Sequence, residues 1–113
     1  MISESDKWRI SHIMEAIENI EDFVKDIDEK HFLENFQLQT ALVRMFEIIG
    51  EAANNLSVQF LAEHKEINWR EVIGMRHAMI HDYFEVNLEV VWDTIKEDIP
   101  KLKAKIKKLL KQS

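Results

Sequence analysis

Apolar residues recur at helical spacing along almost the whole chain, and this periodicity constrains the fold more than any other feature. Near the start, apolar positions alternate steps of three and four and so share one helix face: Ile10, Ile13, Ile17, Ile20, Val24 and Ile27. The 113 residues include only two glycines and one proline, too few for the turns of an all-β protein. The sequence therefore predicts an all-α protein with a long first helix, capped by Ser3 or Ser5.

A second long helix is predicted after a polar break at residues 28–31. Its wide apolar face comprises Leu38, Ala41, Leu42, Met45, Ile48, Ile49, Ala52, Ala53 and Leu56. The pair Ala52-Ala53, together with Gly50, leaves room for another helix to approach closely. Residues 57–67 are predicted to form a short connector with three buried apolar side chains: Val58, Phe60 and Leu61.

Polar residues mark the starts of later helices. Asn68 begins a capping-box pattern and predicts a third helix that runs to about Asp82. Asn87 is predicted to cap a fourth helix. Pro100 lacks an N–H donor, so it either kinks that helix or begins a new one capped by Asp98. Four or five amphipathic helices with short connections predict an antiparallel helical bundle.

The length predicts a single helical domain over residues 1–113, because 113 residues leave no room for two cores. The first two helices would each carry a continuous apolar seam, and such seams often pair with a second copy. A homodimer is therefore predicted, and burial of both seams within one copy is the alternative.

Cysteine usage and hydropathy exclude several protein classes. The chain has no cysteine, which excludes a disulfide scaffold, a cysteine-zinc site and a thiol nucleophile and fits a reducing cytosol. No apolar run approaches the roughly 18 residues of a membrane span, and residues 1–20 lack a signal-peptide core. The chain is therefore expected to be cytoplasmic, without a membrane partner.

Charge is distributed unevenly along the chain. The formal net charge is −6, yet residues 101–113 carry six lysines and no acid, so the first 100 residues carry −12. Any nucleic-acid role must therefore depend on a local basic patch. Two interpretations of the lysines remain open: a solvated face at a helix C-terminus, and a docking surface for RNA or an acidic partner.

One short stretch departs from an ordinary bundle, because residues 76–83 contain one Arg, two His, one Asp and one Tyr. Polar groups in an apolar helix cost stability unless they are paired or line a cleft. On a regular helix Arg76 and Tyr83 share one stripe, and His77 and His81 share its neighbour. Arg76 and His81 would then lie roughly 140° apart, which favours a composite cleft in which two copies each contribute an Arg and a His.

Such a cleft is suited to cutting RNA without a metal. The 2′-OH attacks the adjacent phosphate, which requires a base, an acid and a fixed cation. Histidine serves as base or acid near neutral pH, and arginine pairs bidentately with phosphate oxygens. The i, i+4 spacing of His77 and His81 also occurs in zinc sites, but position 78 is Ala rather than Glu and no third ligand is evident. No metal site and no cofactor are predicted, and plain packing of these residues remains an alternative.

Glu47 and Glu51 lie one turn apart on the second predicted helix, beside Arg44. Either they form salt bridges within the helix, or they contact and orient Arg76 or the histidines without contacting a substrate. The three isolated histidines are interpreted as surface residues: His12, His31 and His64.

The motif resembles a known family. Arg76-x4-His81-x-Tyr83 matches the R-x4-H-x-Y signature of HepT-like toxins, which belong to the HEPN superfamily. The resemblance extends over essentially the whole chain, through the blocks Phe46–Ala53, Ile67–Arg76, Val90–Trp92 and Glu97–Pro100.

The resemblance implies a dimeric all-α HEPN domain that acts as a metal-independent endoribonuclease. Such a protein is the toxin of a prokaryotic toxin–antitoxin pair, and its antitoxin, a minimal nucleotidyltransferase, transfers AMP to the motif tyrosine. By position, Arg76 and His81 would be the catalytic pair and Tyr83 the modified residue. His77 stands where these proteins commonly have Asn, so it would assist as a donor or as a second acid or base.

Two other functions remain open beside the RNase toxin. The chain could be a non-catalytic helical subunit that binds a nucleotide or a nucleotidyltransferase, which the net charge of −6 favours mildly. It could also be a purely structural helical dimer in which the motif is packing.

Overall fold

The structure is a computed structural model that describes residues 2–82 and 85–111, apart from the side chains of His81 and Asp82. In chain order its elements are α1 (Glu4–Val24), α2 (Glu29–Leu33), α3 (Phe36–Asn54), α4 (Val58–Glu63), α5 (Trp69–Met79), β1 (Ile80–Asp82), β2 (Glu85–Val86), α6 (Leu88–Asp93), a π-helical segment (Thr94–Asp98) and α7 (Ile99–Lys111). The predicted all-α bundle is confirmed. The short helices α2 and α4 and the antiparallel β1–β2 hairpin were not predicted.

The predicted apolar stripes meet in one core. The helix α3 packs against α1 on one side and α5 on the other, and α7 packs against α1. Residues of the two long stripes are fully enclosed within the single chain: Ile10, Ile13, Ile17, Ile20, Leu42 and Ile49. Along these residues both seams are therefore buried in one copy, which was the alternative, and these residues do not provide a dimer interface. Each fully buried aliphatic side chain contributes about 1.5–3 kcal/mol, so this core holds the helices in place. Within the described residues, no helix combines the length and the apolar content needed to cross a bilayer.

The first helix ends earlier than its periodicity suggested. The seam was predicted to run to Ile27, whereas α1 ends at Val24 and Asp26 adopts a φ of 61°. The helix is interrupted at Lys25, whose ψ of 126° is extended, and Asp26 completes the turn. Aspartate tolerates this left-handed conformation better than most residues. In the connector, Phe60 is buried as predicted, but the prediction for Val58 is wrong, because its side chain is exposed.

The third predicted helix also ends early. It begins as predicted, with Asn68 Oδ1 accepting from the backbone N–H of Glu71 at 3.2 Å, but α5 ends at Met79 rather than near Asp82. Ile80 is extended and pairs with Val86 across the hairpin. The backbone N–H of Asn87 donates to the Met79 carbonyl at 2.6 Å, which satisfies an acceptor that the helix end would leave open.

Pro100 is the second residue of α7, as expected for a proline near the start of a helix. The helical path continues from α6 through the π-helical segment into α7, so the interpretation of Asp98 as an N-cap is wrong. The N–H of Ile99 donates to the Thr94 carbonyl, five residues back. This wider turn accommodates a proline ring that cannot join the ordinary i→i−4 ladder.

The predicted Asn87 cap at the start of α6 is confirmed, because its Oδ1 accepts a hydrogen bond from the backbone N–H of Val90 at 3.2 Å.

A buried carboxylate joins the starts of α1 and α4. Asp6 is 5% exposed, and its two oxygens accept from the N–H of Ser57 at 2.9 Å and the Ser57 hydroxyl at 2.6 Å. Burial opposes ionisation of Asp6, but the hydrogen bonds of Ser57 and Ser3 and the nearby Arg9 outweigh it and lower the pKa of this carboxyl. Ser57 also caps α4, so Asp6 fixes the entry to that helix.

We expect Asp6→Ala to lower the free energy of unfolding by about 2 kcal/mol at pH 7, because it removes the two hydrogen bonds that Ser57 donates to an ionised carboxylate. The control is Glu4→Ala, an exposed acid in the same first turn. Because the pKa of Asp6 is lowered in the folded protein, its contribution is complete above the unfolded pKa near 3.9 and is lost as the pH falls through the folded pKa. Urea unfolding at pH 7 and at pH 2 measures both effects. A deficit that is the same at both pH values would contradict this role of the ionised carboxylate.

Candidate active site

The candidate site depends on a close contact between α3 and α5. A Cβ atom added at Gly50 would lie 3.2 Å from the backbone oxygen of Ile73, so only glycine allows this approach without displacement. The prediction that Gly50 admits a neighbouring helix is confirmed. The two helices run in opposite directions here, and one turn farther along this contact Glu47 faces Arg76.

Glu47 lies between two arginines. Its Oε2 is 3.8 Å from Nε of Arg76 on α5 and 3.8 Å from a terminal guanidinium nitrogen of Arg44 on α3. Both distances are those of ion pairs rather than hydrogen bonds. The structure thus combines the two interpretations of Glu47: it forms a salt bridge within α3, and it also contacts Arg76 from the facing helix.

Arg76 remains open to a ligand. Its side chain is 47% exposed, and its ion pair with Glu47 involves Nε alone. A guanidinium has five N–H donors in a planar fork, which matches two oxygens of one phosphate. His77 follows on the same helix and is exposed. Both residues lie in the last turn of α5, where the helix dipole favours cations.

The end of α5 changes the predicted relation between the motif residues. The backbone of His81 lies in β1, so the stripe shared by His77 and His81 and the angle of roughly 140° between Arg76 and His81 do not apply. The His81 side chain and the whole of Tyr83 lie outside the described residues. Their predicted roles therefore remain predictions.

Glu51 takes no part in the Glu47 cluster. It is exposed, and its backbone carbonyl accepts from the Asn55 amide at 2.8 Å. Among the described residues, no ion pair joins the Glu51 carboxylate to Arg76.

The isolated histidines differ from one another: His31 is exposed, whereas His12 and His64 are half-buried. In the part of the chain that the structure describes, no three His, Asp or Glu side chains converge as metal ligands.

Arg44 is the site residue that sequence reasoning left out. It was noted only as a salt-bridge partner of Glu47, and its i, i+3 spacing to Glu47 was the available signal. What the sequence could not show is that Arg76 shares the same carboxylate oxygen. Two arginines and one glutamate leave a local excess of one positive charge on an exposed surface. Such an arrangement is suited to binding an anion, because the carboxylate orients the cations without fully neutralising them.

The family model and the relatives that match this chain are all described as ribonucleases. The family model described as "Ribonuclease HepT-like" matches residues 13–109. A protein of Thermococcus cleftensis named "Probable ribonuclease HepT" is 46% identical over 110 residues, which are 97% of this chain and 100% of that protein. A "Putative RNase" of Caldanaerobacter subterraneus is 39% identical over 103 residues, which are 91% of this chain and 92% of the relative.

A longer relative matches the chain over part of its own length. The protein of Methanocaldococcus jannaschii named a gamma-glutamylcyclotransferase and putative RNase is 43% identical over 106 residues, which are 94% of this chain. The chain spans 48% of that protein. No solved structure matches the chain.

The two glycines provide a matched test of the helix contact. A Cβ atom at Gly74 on α5 would meet nothing within 4 Å, so Gly74→Ala is expected to raise the free energy of unfolding by about 0.5–1 kcal/mol through helix propensity. Gly50→Ala gains the same propensity but presses on the rigid backbone oxygen of Ile73, so it is expected to lower stability. Urea unfolding compares the two variants. Equal stabilisation by both would show that the α3–α5 contact is not tight.

Proposed function

Because the chain belongs to the Ribonuclease HepT-like family, we propose that it is an endoribonuclease that cuts RNA without a metal ion. Its biological role in this proposal is that of a cytoplasmic toxin in a prokaryotic toxin–antitoxin pair. The observation that carries the proposal is the half-exposed Arg76, oriented by Glu47 and open to a phosphate.

The proposed reaction uses the RNA's own 2′-OH as nucleophile. Its oxygen forms a bond to the adjacent phosphorus while the bond from phosphorus to the 5′-oxygen breaks, and the product carries a 2′,3′-cyclic phosphate. Arg76 stabilises the charge that develops on the phosphate oxygens. His81 of one copy takes the proton of the 2′-OH, and His81 of a second copy gives a proton to the leaving 5′-oxygen. His77 assists as a donor or as a second acid or base. Glu47 holds Arg76 in place and does not contact the substrate.

A homodimer completes the site in this proposal. Two copies would each supply one Arg76 and one His81, so one cleft would contain both a base and an acid. Apolar side chains of α3 are left only partly buried in the single chain and support an interface: Leu38, Met45 and Ile48. If a second copy covered these side chains, burial of their remaining apolar surface would stabilise the dimer.

The proposed control of the toxin is chemical modification. A cognate minimal nucleotidyltransferase would transfer AMP to Tyr83, two positions after His81 in the sequence. The added group is bulky and anionic, so it would obstruct the cleft and repel the RNA phosphates.

A second function is favoured by the charge of the chain. With a net charge of −6, the protein lacks the overall basic character of most RNA-binding proteins. The alternative is a non-catalytic helical subunit that binds a nucleotide or a nucleotidyltransferase. Nucleotide binding that survives Arg76→Ala, without RNA cleavage by the wild type, would favour it.

We expect Arg76→Ala to lower kcat/KM for RNA cleavage by about 100-fold or more, because it removes the cation that stabilises the transition state. His81→Ala should cause a loss of similar size, as expected for a general acid or base. Cleavage is measured with purified protein in excess EDTA. The intact mass of each sample is taken first, so that AMP on Tyr83 is detected before activity is compared.

Arg70→Ala is the matched control for these variants. Arg70 is another exposed arginine of α5, six residues before Arg76, and its removal should leave kcat/KM within about twofold, because surface substitutions away from a site have small effects. If Arg70→Ala and Arg76→Ala reduce cleavage equally, general charge rather than a specific site explains the activity.

Glu47→Gln is expected to lower kcat by about tenfold with a smaller change in KM, because Arg76 loses the charge that orients it. Glu47→Asp should restore part of this loss. Glu51→Gln is the control, since Glu51 lies one turn farther on the same helix. Steady-state RNA cleavage separates kcat from KM, and a Glu47→Gln enzyme with unchanged kcat would contradict the positioning role.

A further inference from the structure

The final helix α7 presents a face made almost entirely of lysine. Its apolar side faces the core through Ile99, Leu102, Ile106 and Leu109. The residues that remain exposed on α7 are Pro100, Ala104 and five lysines: Lys101, Lys105, Lys107, Lys108 and Lys111. Lys103 is half-buried. No acid interrupts this face, although the first 100 residues of the chain carry a net charge of −12.

The lysines fall into two neighbouring arcs around α7, which flank the buried stripe at Lys103 and Lys105 and come within about 60° of each other at Lys108 and Lys111. At 100° per residue, Lys103 and Lys105 are about 200° apart around the helix. Lys103 lies on the side of α1, where it donates to Glu21 at 2.7 Å, and this bond together with the charges of Glu21 and Glu18 raises its pKa. We call Lys103, Lys107 and Lys111 the α1-side lysines, because they fall within one arc of the helix.

The other group lies toward the helix that carries Arg76. Lys101 and Lys105 line a groove between α7 and α5, opposite Asn68 and Met75. Lys108 continues this arc one turn farther along. Among the described residues, no ion pair engages these three side chains. We call Lys101, Lys105 and Lys108 the α5-side lysines.

Two carboxylates lie in the same groove and restrict where an anion can bind. Glu71 and Asp98 line it together with Lys101 and Lys105, so the groove itself has no net charge. A polyanion is therefore favoured along the outer edge, toward Lys108, which is exposed and does not line the groove.

The composition of this face indicates which macromolecule it fits. Protein interfaces are built around buried aromatic and aliphatic side chains and are depleted in lysine. Helices that lie on membranes need a large apolar residue beside the basic ones. The exposed part of α7 has neither kind of residue among its described positions. A nucleic-acid backbone needs only cations at regular spacing, which this face supplies.

We propose that the α5-side lysines bind the phosphate backbone of the RNA strand outside the cleavage site. This inference depends on the proposed function, and it identifies where an otherwise acidic protein holds its substrate. Lys101 and Lys108 are seven residues apart, or about 10 Å along the helix, so the three lysines can contact successive phosphates of one strand. Met75, on the opposite wall of the groove, directly precedes Arg76 in the chain.

The salt dependence of binding gives the expected size of the effect. Each contact between a lysine and a phosphate of single-stranded RNA adds about 0.7 to the slope of log K against log salt. Removal of three contacts therefore lowers that slope by about 2. Binding should weaken by about 100-fold at 0.1 M salt and hardly at all at 1 M salt, where the lysines contribute little.

The experiment compares two charge-matched triple variants of the full chain. One changes Lys101→Gln, Lys105→Gln and Lys108→Gln, and the other changes Lys103→Gln, Lys107→Gln and Lys111→Gln. Each loses three positive charges, so their net charges are identical. Fluorescence anisotropy measures binding of a single-stranded 2′-O-methyl RNA, which cannot be cut, over a series of salt concentrations. Circular dichroism and urea unfolding of each variant exclude loss of the fold as a cause.

The proposal predicts a large loss of affinity and of salt slope for the α5-side variant only. Equal losses in both variants would overturn it, because binding would then follow net charge. Unchanged binding in both variants would also overturn it. An acidic protein partner would then be the remaining interpretation of the lysines.

Cleavage of an unmodified RNA separates this inference from the proposed function. If the wild type cuts RNA and the α5-side variant keeps its KM, the inference fails and the proposed function stands. If the wild type binds RNA through the α5-side lysines but cuts none, the docking surface stands and the nuclease does not.

Discussion

The backbone of α5 lies directly against α3 at Gly50, and the arrangement of the candidate site follows from this contact. A side chain at position 50 would press on the backbone oxygen of Ile73, so the helices approach as closely as they do only through the glycine. One turn away, the same approach brings Glu47 to Arg76. A weak, half-exposed ion pair would not position α5 by itself. The packed helices determine the geometry, and the ion pair then selects the orientation of the arginine.

The distribution of charged side chains determines where this protein can bind an anion. Most of the chain is acidic, whereas α7 carries six of the fifteen Lys and Arg residues. Arg44 and Arg76 form a smaller cationic pair around Glu47. An acidic body repels polyanions in general, so binding is restricted to the places where cations are grouped. Glu47 and Glu21 have comparable roles there, because each holds a cation at a fixed position.

The sequence predicted the parts of the fold that depend on local periodicity and capping. The stripes of α1 and α3 and the caps Asn68 and Asn87 lie where they were expected. It did not predict the end of α5, because the partners that stop the helix, Val86 and the backbone N–H of Asn87, lie across a hairpin. The sequence likewise predicted only part of the candidate site, because the rest depends on contacts between helices. The motif indicated Arg76, but its shared carboxylate with Arg44 depends on tertiary packing that spacing along one helix cannot reveal.

The chemical identity of the RNA ends made in excess EDTA tests the central claim most directly. A nuclease that uses an arginine, histidines and the substrate's own 2′-OH leaves a 2′,3′-cyclic phosphate on one fragment and a 5′-hydroxyl on the other. Mass spectrometry of the fragments from a defined oligonucleotide distinguishes these ends, and the account predicts both of them with EDTA present. Fragments that end in a 3′-hydroxyl and a 5′-phosphate, or cleavage that requires added metal, would contradict the account.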